Sequence, residues 1–134
     1  MKFRELVNRY NDVKYKIKRL KLKEQELREL GALPHNSQAG CGGRHNSSAV
    51  EGYVVTLNQI VCEIERLEAD MSSLRERITN VLDALPSEAI REILEMRLLL
   101  RKTWRYIAGH VYYSESRVRQ LYKIGLREVQ DYEA

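Results

Sequence analysis

The strongest constraint on the fold is an apolar repeat that runs without a break through residues 51–85. Its first member is Tyr53 and its last is Leu85. Between them, apolar side chains recur at intervals of four and three residues, at Leu57, Ile60, Ile64, Leu67, Met71, Leu74, Ile78 and Val81. This alternation keeps one face of an α-helix apolar along its whole length. It predicts one long helix, and Pro86 predicts where that helix ends.

Residues 2–30 carry a second repeat of the same kind, which predicts another long helix. Its apolar members are Phe3, Leu6, Tyr10, Val13, Ile17, Leu20 and Leu27, and Glu24 is the one polar exception. Residues 1–30 hold ten basic and five acidic side chains, whereas residues 51–85 hold three basic and seven acidic ones. Folding the two helices into a hairpin brings Lys16 and Lys18 opposite Glu63 and Glu65, which favours antiparallel pairing, while the apolar repeats supply most of the stability.

The stretch between the two repeats differs from both in composition. Residues 31–50 are rich in Gly, Ser, Asn and His, which predicts a flexible loop that begins where Gly31 stops the first helix. We therefore expect an all-α protein in which residues 1–85 form a long antiparallel helical hairpin, a coiled coil that dimerises. His35, Cys41 and His45 are too few for a structural zinc site, so we expect no metal and no cofactor.

Residues 86–134 have the pattern of short capped helices that form a separate domain. Ser87 is a candidate N-cap for a helix over residues 88–100, and Thr103 is a candidate N-cap for a shorter helix over residues 104–109. A hydroxyl at an N-cap accepts a hydrogen bond from one of the unpaired N–H groups of the first helical turn. These two caps therefore predict two separate helix starts.

The last helix is predicted to begin at Ser114 and to end near Arg127. A turn through residues 110–113 precedes it, and we expect Tyr112 and Tyr113 to pack there, with Tyr113 directed inward. The inward face of this helix is expected to carry Val118, Leu121, Tyr122, Gly125 and Val129. A short helix, a turn and a longer helix are the arrangement of a helix-turn-helix motif.

Basic side chains gather in this part of the chain. Between Arg101 and Arg127 there are seven basic residues and one acid, Glu115, which leaves six positive charges against four for the whole chain. Arg, Lys, Ser and Gln are residue types that hydrogen-bond base edges and phosphates. The predicted DNA contacts are Arg101, Lys102, Arg105, Ser114, Arg117 and Arg127 to phosphates, and Ser116, Arg119, Gln120 and Lys123 to base edges.

At these residues the sequence resembles a known domain. WRYIAGHVYYSESRVRQLYKIGLREV, residues 104–129, is similar to region 4 of bacterial sigma factors, above all in the run RVRQL. IREILEMRLLL, residues 90–100, is similar to the helix that precedes that motif. Joined to two long helices, such a domain resembles phage late-transcription regulators of the ArpU and RinA type. The resemblance implies a phage or prophage activator of late genes that contacts RNA polymerase.

The sequence favours a dimeric transcription regulator that binds specific sites on double-stranded DNA. Two alternatives stay open: a DNA-recognition and assembly protein like a phage small terminase subunit, and a module that docks on RNA polymerase.

The sequence shows no set of catalytic residues. The carboxylates lie on outer helix faces and neither Cys41 nor Cys62 has a positioned partner, so we expect no enzyme. No apolar run reaches the ~18 residues of a membrane span. With a pI near 9.1, we expect no membrane partner and a cytoplasmic, nucleoid-associated location in a bacterial host.

Overall fold

The computed structural model is all-helical over the residues that it describes, which confirms the predicted all-α class. It describes the backbone of residues 1–32 and 43–132, and the side chains of residues 1–31 and 52–132. In chain order the α-helices are α1 (Phe3–Ala32), α2 (Gly43–Asp83), α3 (Glu88–Leu94), α4 (Trp104–Val111) and α5 (Glu115–Val129), and a π-helical turn (Glu95–Leu99) follows α3. None of the described helices combines the length and apolar character that a membrane crossing requires.

The chain divides into two compact units. The terminal unit consists of Met1–Asp12 and Met71–Ala134, and the middle unit is Val13–Asp70. Both long helices contribute residues to each unit, and the predicted domain boundary between residues 85 and 86 stays a prediction. The first turns of α1 belong with the C-terminal residues: Asn11 Nδ2 donates a hydrogen bond to the carbonyl oxygen of Leu98 at 3.2 Å.

The middle unit is built on the two apolar repeats that the sequence displays. Among its described residues, the buried side chains are Val13 and Ile17 of α1 and Ile60, Ile64 and Leu67 of α2. Burying a side chain of this size stabilises the fold by roughly 1.5–3 kcal/mol. A surface ion pair adds little to this, since Lys21 Nζ lies 3.9 Å from a carboxylate oxygen of Glu68 with both side chains about half exposed.

Gly31 lies inside the first helix and does not end it, in contrast to the prediction. α1 continues to Ala32, and α2 already begins at Gly43, within the predicted loop; residues 33–42 lie outside the described residues. A Cβ atom on Gly31 would lie 2.5 Å from the Tyr53 ring of α2. The absence of a Cβ atom at Gly31 leaves room for the Tyr53 ring, a tertiary contact that the interpretation of glycine as a helix-stop signal misses.

The terminal unit buries an apolar side chain from every described α-helix. Leu6, Ile78, Ile93, Ile107 and Val118, one each from α1 to α5, are completely shielded from solvent. The boundary of α3 follows the predicted cap, because the Ser87 hydroxyl accepts a hydrogen bond from Ile90 N–H. The C-terminal helices thus rest on a common core with the ends of the two long helices.

The helix predicted over residues 88–100 is interrupted by the π-helical turn. There, Leu100 N–H donates to the Glu95 carbonyl oxygen at 3.2 Å, five residues earlier. Arg101 follows in the left-handed region with φ of 54°, and Lys102 N–H returns to the Met96 carbonyl oxygen at 3.0 Å. The sequence conceals this turn because a leucine-rich run satisfies the periodicity of an ordinary α-helix. π-helical turns are rare in proteins overall, but those that occur are often found at functional sites.

Candidate nucleic-acid interface

α4 and α5 begin at the residues that the sequence predicts, because a side-chain hydroxyl caps each of them. Thr103 Oγ1 accepts a hydrogen bond from Tyr106 N–H at 3.2 Å, and Ser114 Oγ accepts one from Arg117 N–H at the same distance. Both capping residues have extended backbone, with ψ of 157° and 156°. The Ser114 cap fixes the first turn of α5, where the predicted contacts to base edges begin.

The turn between α4 and α5 is shorter than predicted, and its tyrosines face solvent. α4 continues through Val111, so only Tyr112, Tyr113 and Ser114 separate the two helices. Tyr112 is 91 % exposed and Tyr113 is 45 % exposed. The prediction that both tyrosines pack, with Tyr113 directed inward, is therefore wrong. Tyr112 ends α4 in the left-handed conformation, with φ of 62°, which is a common way for a helix to end.

α5 packs through the inward face that its sequence predicts. Val118, Leu121, Gly125 and Val129 are buried, and Tyr122 is half-buried. These positions repeat at three and four residues, so they lie on one side of the helix. The opposite side of α5 therefore faces solvent.

The orientation of α5 depends on one close contact and one aromatic pair. A Cβ atom on Gly125 would lie 2.6 Å from Ile90 Cγ2 and 2.9 Å from Leu94 Cδ1, so glycine lets α5 approach α3. The Trp104 ring of α4 meets the Tyr122 ring of α5 edge-on, with centroids 5.0 Å apart. α5 is thus held against two helices at once.

The side chains predicted to contact DNA lie on the surface. Lys102 is half-buried. The exposed members are Arg101, Arg105, Ser114, Ser116, Arg117, Arg119, Gln120, Lys123 and Arg127. We call the seven basic residues among the predicted contacts the basic surface. Accessibility is the first requirement for contact with a nucleic acid, and the set meets it.

No residue of the basic surface forms an ion pair with a carboxylate of the described residues. The contacts of its members are with neutral groups. Arg117 Nη1 donates to Gln120 Oε1 at 3.0 Å, and the Arg119 guanidinium carbon lies 5.8 Å from the Trp104 ring centroid. Neither contact neutralises a charge, so no carboxylate of the described residues pairs with the positive charges of this surface.

Arg97 is a part of this region that the sequence analysis did not single out. Its guanidinium carbon lies 4.2 Å from the Trp104 ring centroid, and its Nη1 donates to the Lys102 carbonyl oxygen at 2.9 Å. The Lys102 ammonium lies 4.9 Å from the Tyr106 ring centroid. These contacts join the π-helical turn to the start of α4. No sequence signal marks Arg97, because its position depends on that turn.

The His and Cys side chains that the structure describes are not part of the basic surface. The described residues contain no group of three or more His, Cys, Asp or Glu side chains arranged to hold a metal ion. His35, Cys41 and the side chain of His45 lie outside the described residues. Cys62 is an exposed free thiol on α2.

Comparisons of the chain with protein-family models, curated proteins and solved structures find no match. The resemblance to sigma region 4 therefore stays a prediction. What the basic surface can bind follows from its own properties: it is exposed, it is positively charged, and it is supported by a packed helix. An extended polyanion is the class of partner that such a surface attracts.

Proposed function

We propose that the protein is a DNA-binding transcription regulator that recognises specific sequences with α5. In this proposal residues 86–134 act as a helix-turn-helix domain, and residues 1–85 form an antiparallel helical hairpin that supports a homodimer. The observation that carries the proposal is the exposed and unpaired basic surface on and beside the capped helix α5. The resemblance adds the narrower proposal of a phage late-gene activator that contacts RNA polymerase, acts in the bacterial cytoplasm and has no enzymatic activity.

Base reading is assigned to the outward row of α5. Ser116, Gln120 and Lys123 recur at four and three residues, so they lie along one exposed stripe of the helix. The major groove admits an α-helix, and Gln, Lys and Ser side chains can hydrogen-bond base edges there. Arg119 flanks this stripe beside Trp104. On binding, Gln120 would exchange its contact with Arg117 for a base edge.

Phosphate contacts are assigned to the residues around the base-reading row. Arg101, Lys102 and Arg105 precede or begin α4, and Arg117 and Arg127 lie near the two ends of α5. Such contacts set the position of the protein on the duplex without reading its sequence. The first turn of α5 adds unpaired N–H groups and the positive end of the helix dipole, which favour a phosphate next to Ser114.

A dimer would use side chains other than the apolar repeats themselves. Most members of the repeats are buried within one chain, for instance Ile64 and Leu67 at 5 % exposure each. Exposed apolar side chains remain in the middle unit, where Tyr15, Leu22 and Val55 are more than half exposed. In a two-fold dimer the same patch on both copies would meet, which would present two reading helices to one duplex.

A second candidate function is docking on a protein partner such as RNA polymerase. The observation that favours it is the row of exposed tyrosines Tyr106, Tyr112 and Tyr113 on α4 and the turn. Aromatic side chains are enriched in protein–protein interfaces. The terminase-like alternative is distinguished by stoichiometry, since a ring of many subunits would favour assembly and a dimer would favour regulation.

The deciding experiment is a salt titration of binding to a duplex selected from a random pool. With five or six phosphate contacts per subunit, log K is expected to fall against log salt with a slope of roughly −5 per subunit. A docking module without DNA contacts would give a flat response, and that result would exclude the proposal.

In the same binding assay, Arg119→Ala is expected to relax the sequence preference at one base position and to weaken binding to the selected duplex by about 1–3 kcal/mol. An equal loss on every sequence would make Arg119 a phosphate contact.

A further inference from the structure

A second site in the terminal unit lies apart from the outward row of α5. It is a cavity of about 620 Å³ whose walls come from the first turns of α1, the residues around the π-helical turn and the last turns of α5. Pockets of this size bind small organic molecules in proteins. Ser116, Gln120 and Lys123 do not line it, and Arg101 is the one member of the basic surface among its described lining residues.

The wall of the cavity is positively charged without compensation. Lys2, Arg4, Arg97 and Arg101 line it, whereas none of its described lining residues is Asp or Glu. None of these four side chains forms an ion pair with a carboxylate of the described residues. Like charges around a concave surface repel one another and focus a positive potential into it. An anion in the cavity would relieve that repulsion.

The wall is also partly apolar. Leu98, Tyr122 and Leu126 are half-buried and line the cavity, and the buried residues Phe3 and Val7 also line it. Half-buried apolar side chains in a concave wall gain stability when a ligand removes their remaining surface from water. The cavity therefore suits an anion that also has an apolar body.

The backbone around the cavity departs from regular geometry. The π-helical turn supplies Arg97 and Leu98, and Arg101 has a positive φ of 54° although it is not glycine. Asn11 Nδ2 donates a hydrogen bond to the Leu98 carbonyl oxygen, whereas the buried Oδ1 of Asn11 has no hydrogen-bond partner among the described residues. Rare backbone conformations and unsatisfied buried atoms cost free energy, and they concentrate at sites of ligand contact.

From these observations we infer that the cavity binds a small organic anion, a carboxylate or sulfonate attached to an aromatic or aliphatic body. A DNA backbone is the competing occupant, since it would engage the same charges. It would leave the apolar wall in contact with water, which is why the observations favour the amphipathic anion. The inference does not depend on the proposed DNA binding, because occupancy is measured without DNA.

The test uses 1-anilinonaphthalene-8-sulfonate as the probe and its uncharged analogue N-phenyl-1-naphthylamine as the comparison. Fluorescence titration of the full chain is expected to give one saturable site per chain for the sulfonate. The analogue keeps the aromatic body and loses the charge, so it is expected to bind at least about tenfold more weakly. Equal binding of the two compounds would show a merely apolar surface and would overturn the inference.

Substitutions in the wall of the cavity test whether the sulfonate binds there. The double variant Arg4→Gln with Arg101→Gln removes two cavity charges and is expected to weaken sulfonate binding at least about tenfold. Its matched control is Lys18→Gln with Lys23→Gln, which removes two exposed charges from the middle unit and is expected to change binding less than about twofold. Asn8→Trp leaves every charge in place and fills the cavity from an exposed position, so it is also expected to weaken binding.

The outcomes separate this inference from the proposed function. If the cavity variants reduce affinity for the selected duplex and leave sulfonate binding unchanged, the four basic side chains of the wall contact DNA instead, and the inference fails. If they reduce sulfonate binding while the salt titration with DNA is flat, the inference holds and the proposed function fails. A thermal melt of each variant checks that a loss of binding does not arise from unfolding.

Discussion

The two units of this protein use basic residues in different ways. In the middle unit Lys21 lies 3.9 Å from Glu68, and the pKa of Glu63 is lowered first by a hydrogen bond from Arg66 and further by the charge of Lys16. In the terminal unit the basic surface has no carboxylate partner among the described residues. Lys18 and Lys23 of the middle unit form no ion pair with a described carboxylate either. The two regions therefore differ in how many acids accompany the basic side chains, and nearby acids reduce the attraction of a polyanion.

The difference has its origin in the distribution of acids along the chain. α1 packs with α2, and residues 51–85 of α2 hold seven acidic side chains against three basic ones. Between residues 101 and 127 a single acid accompanies seven basic side chains. The acids of residues 51–85 can pair with basic side chains of α1. The basic side chains of residues 101–127 have few acids nearby in the sequence, so they are available to an anionic partner from outside the chain.

The largest expected effect is the loss of DNA binding on charge reversal in α5. Arg119→Glu with Lys123→Glu should lower affinity for the selected duplex at least about a hundredfold, because two attractive contacts become repulsive. The matched control Lys18→Glu with Lys23→Glu makes the same change of charge on α1 and should change affinity less than about threefold. Fluorescence anisotropy at constant salt measures both. Equal losses would remove the distinction between the two units.

The next effect concerns the packing that supports α5. Gly125→Ala should lower the free energy of unfolding by about 1–3 kcal/mol, because the new Cβ atom would lie 2.6 Å from Ile90 Cγ2. Gly109→Ala is the matched control, since a Cβ atom on this glycine of α4 meets nothing within 4 Å. It should be neutral or stabilising by up to about 1 kcal/mol. Urea denaturation distinguishes them, and similar values for both would argue against the close approach of α3 and α5.

A smaller effect is expected at the cap of α5. Ser114→Ala should lower the free energy of unfolding by about 1 kcal/mol, because Arg117 N–H loses the hydroxyl that accepts its hydrogen bond. Ser116→Ala, two residues later on the exposed side, should change it by less than about 0.5 kcal/mol. Thermal unfolding of the two variants tests this order. A reversed order would mean that the Ser114 hydroxyl does not stabilise the start of α5.

The smallest effect is expected in the middle unit, where Arg66 pairs with Glu63. Arg66→Gln should raise the pKa of Glu63 towards its ordinary value, since the hydrogen bond from Arg66 is the main cause of the lowered pKa. A lowered pKa in the folded state means that the pair stabilises the fold above the ordinary pKa of glutamate. The contribution is lost as the pH falls through the lowered pKa. NMR titration of the Glu63 carboxyl measures the shift, with Arg75→Gln as the control that should leave it unchanged.

Much of the fold could be predicted because the signals were local. The apolar repeats located α1 and α2, and the hydroxyl residues Ser87, Thr103 and Ser114 located the starts of the three following α-helices. Capping depends only on residues within one helical turn, so the sequence reports it directly. The surface position of the predicted DNA contacts followed from the same periodicity, since the inward face of α5 defines its outward face.

The errors arose where a residue's role depends on distant neighbours. Gly31 was interpreted as a helix end, whereas it admits the ring of Tyr53. Tyr113 is predicted to point inward because it is the apolar residue before the Ser114 cap, yet Tyr112 ends α4 in the left-handed conformation and both tyrosines are exposed. Composition cannot report either role, because a backbone conformation or an interhelical distance is a property of the packed chain.

The helical class, the caps and the inward face of α5 can be predicted from the sequence, because periodicity and capping act between residues a few positions apart. The π-helical turn, the charged cavity and the absence of an ion-pair partner for particular basic side chains emerge from the packed chain. The cavity and the ion pairs join residues far apart in the chain, which local patterns cannot report. The hydrogen bond from Asn11 to Leu98, between residues 87 positions apart, is the clearest case.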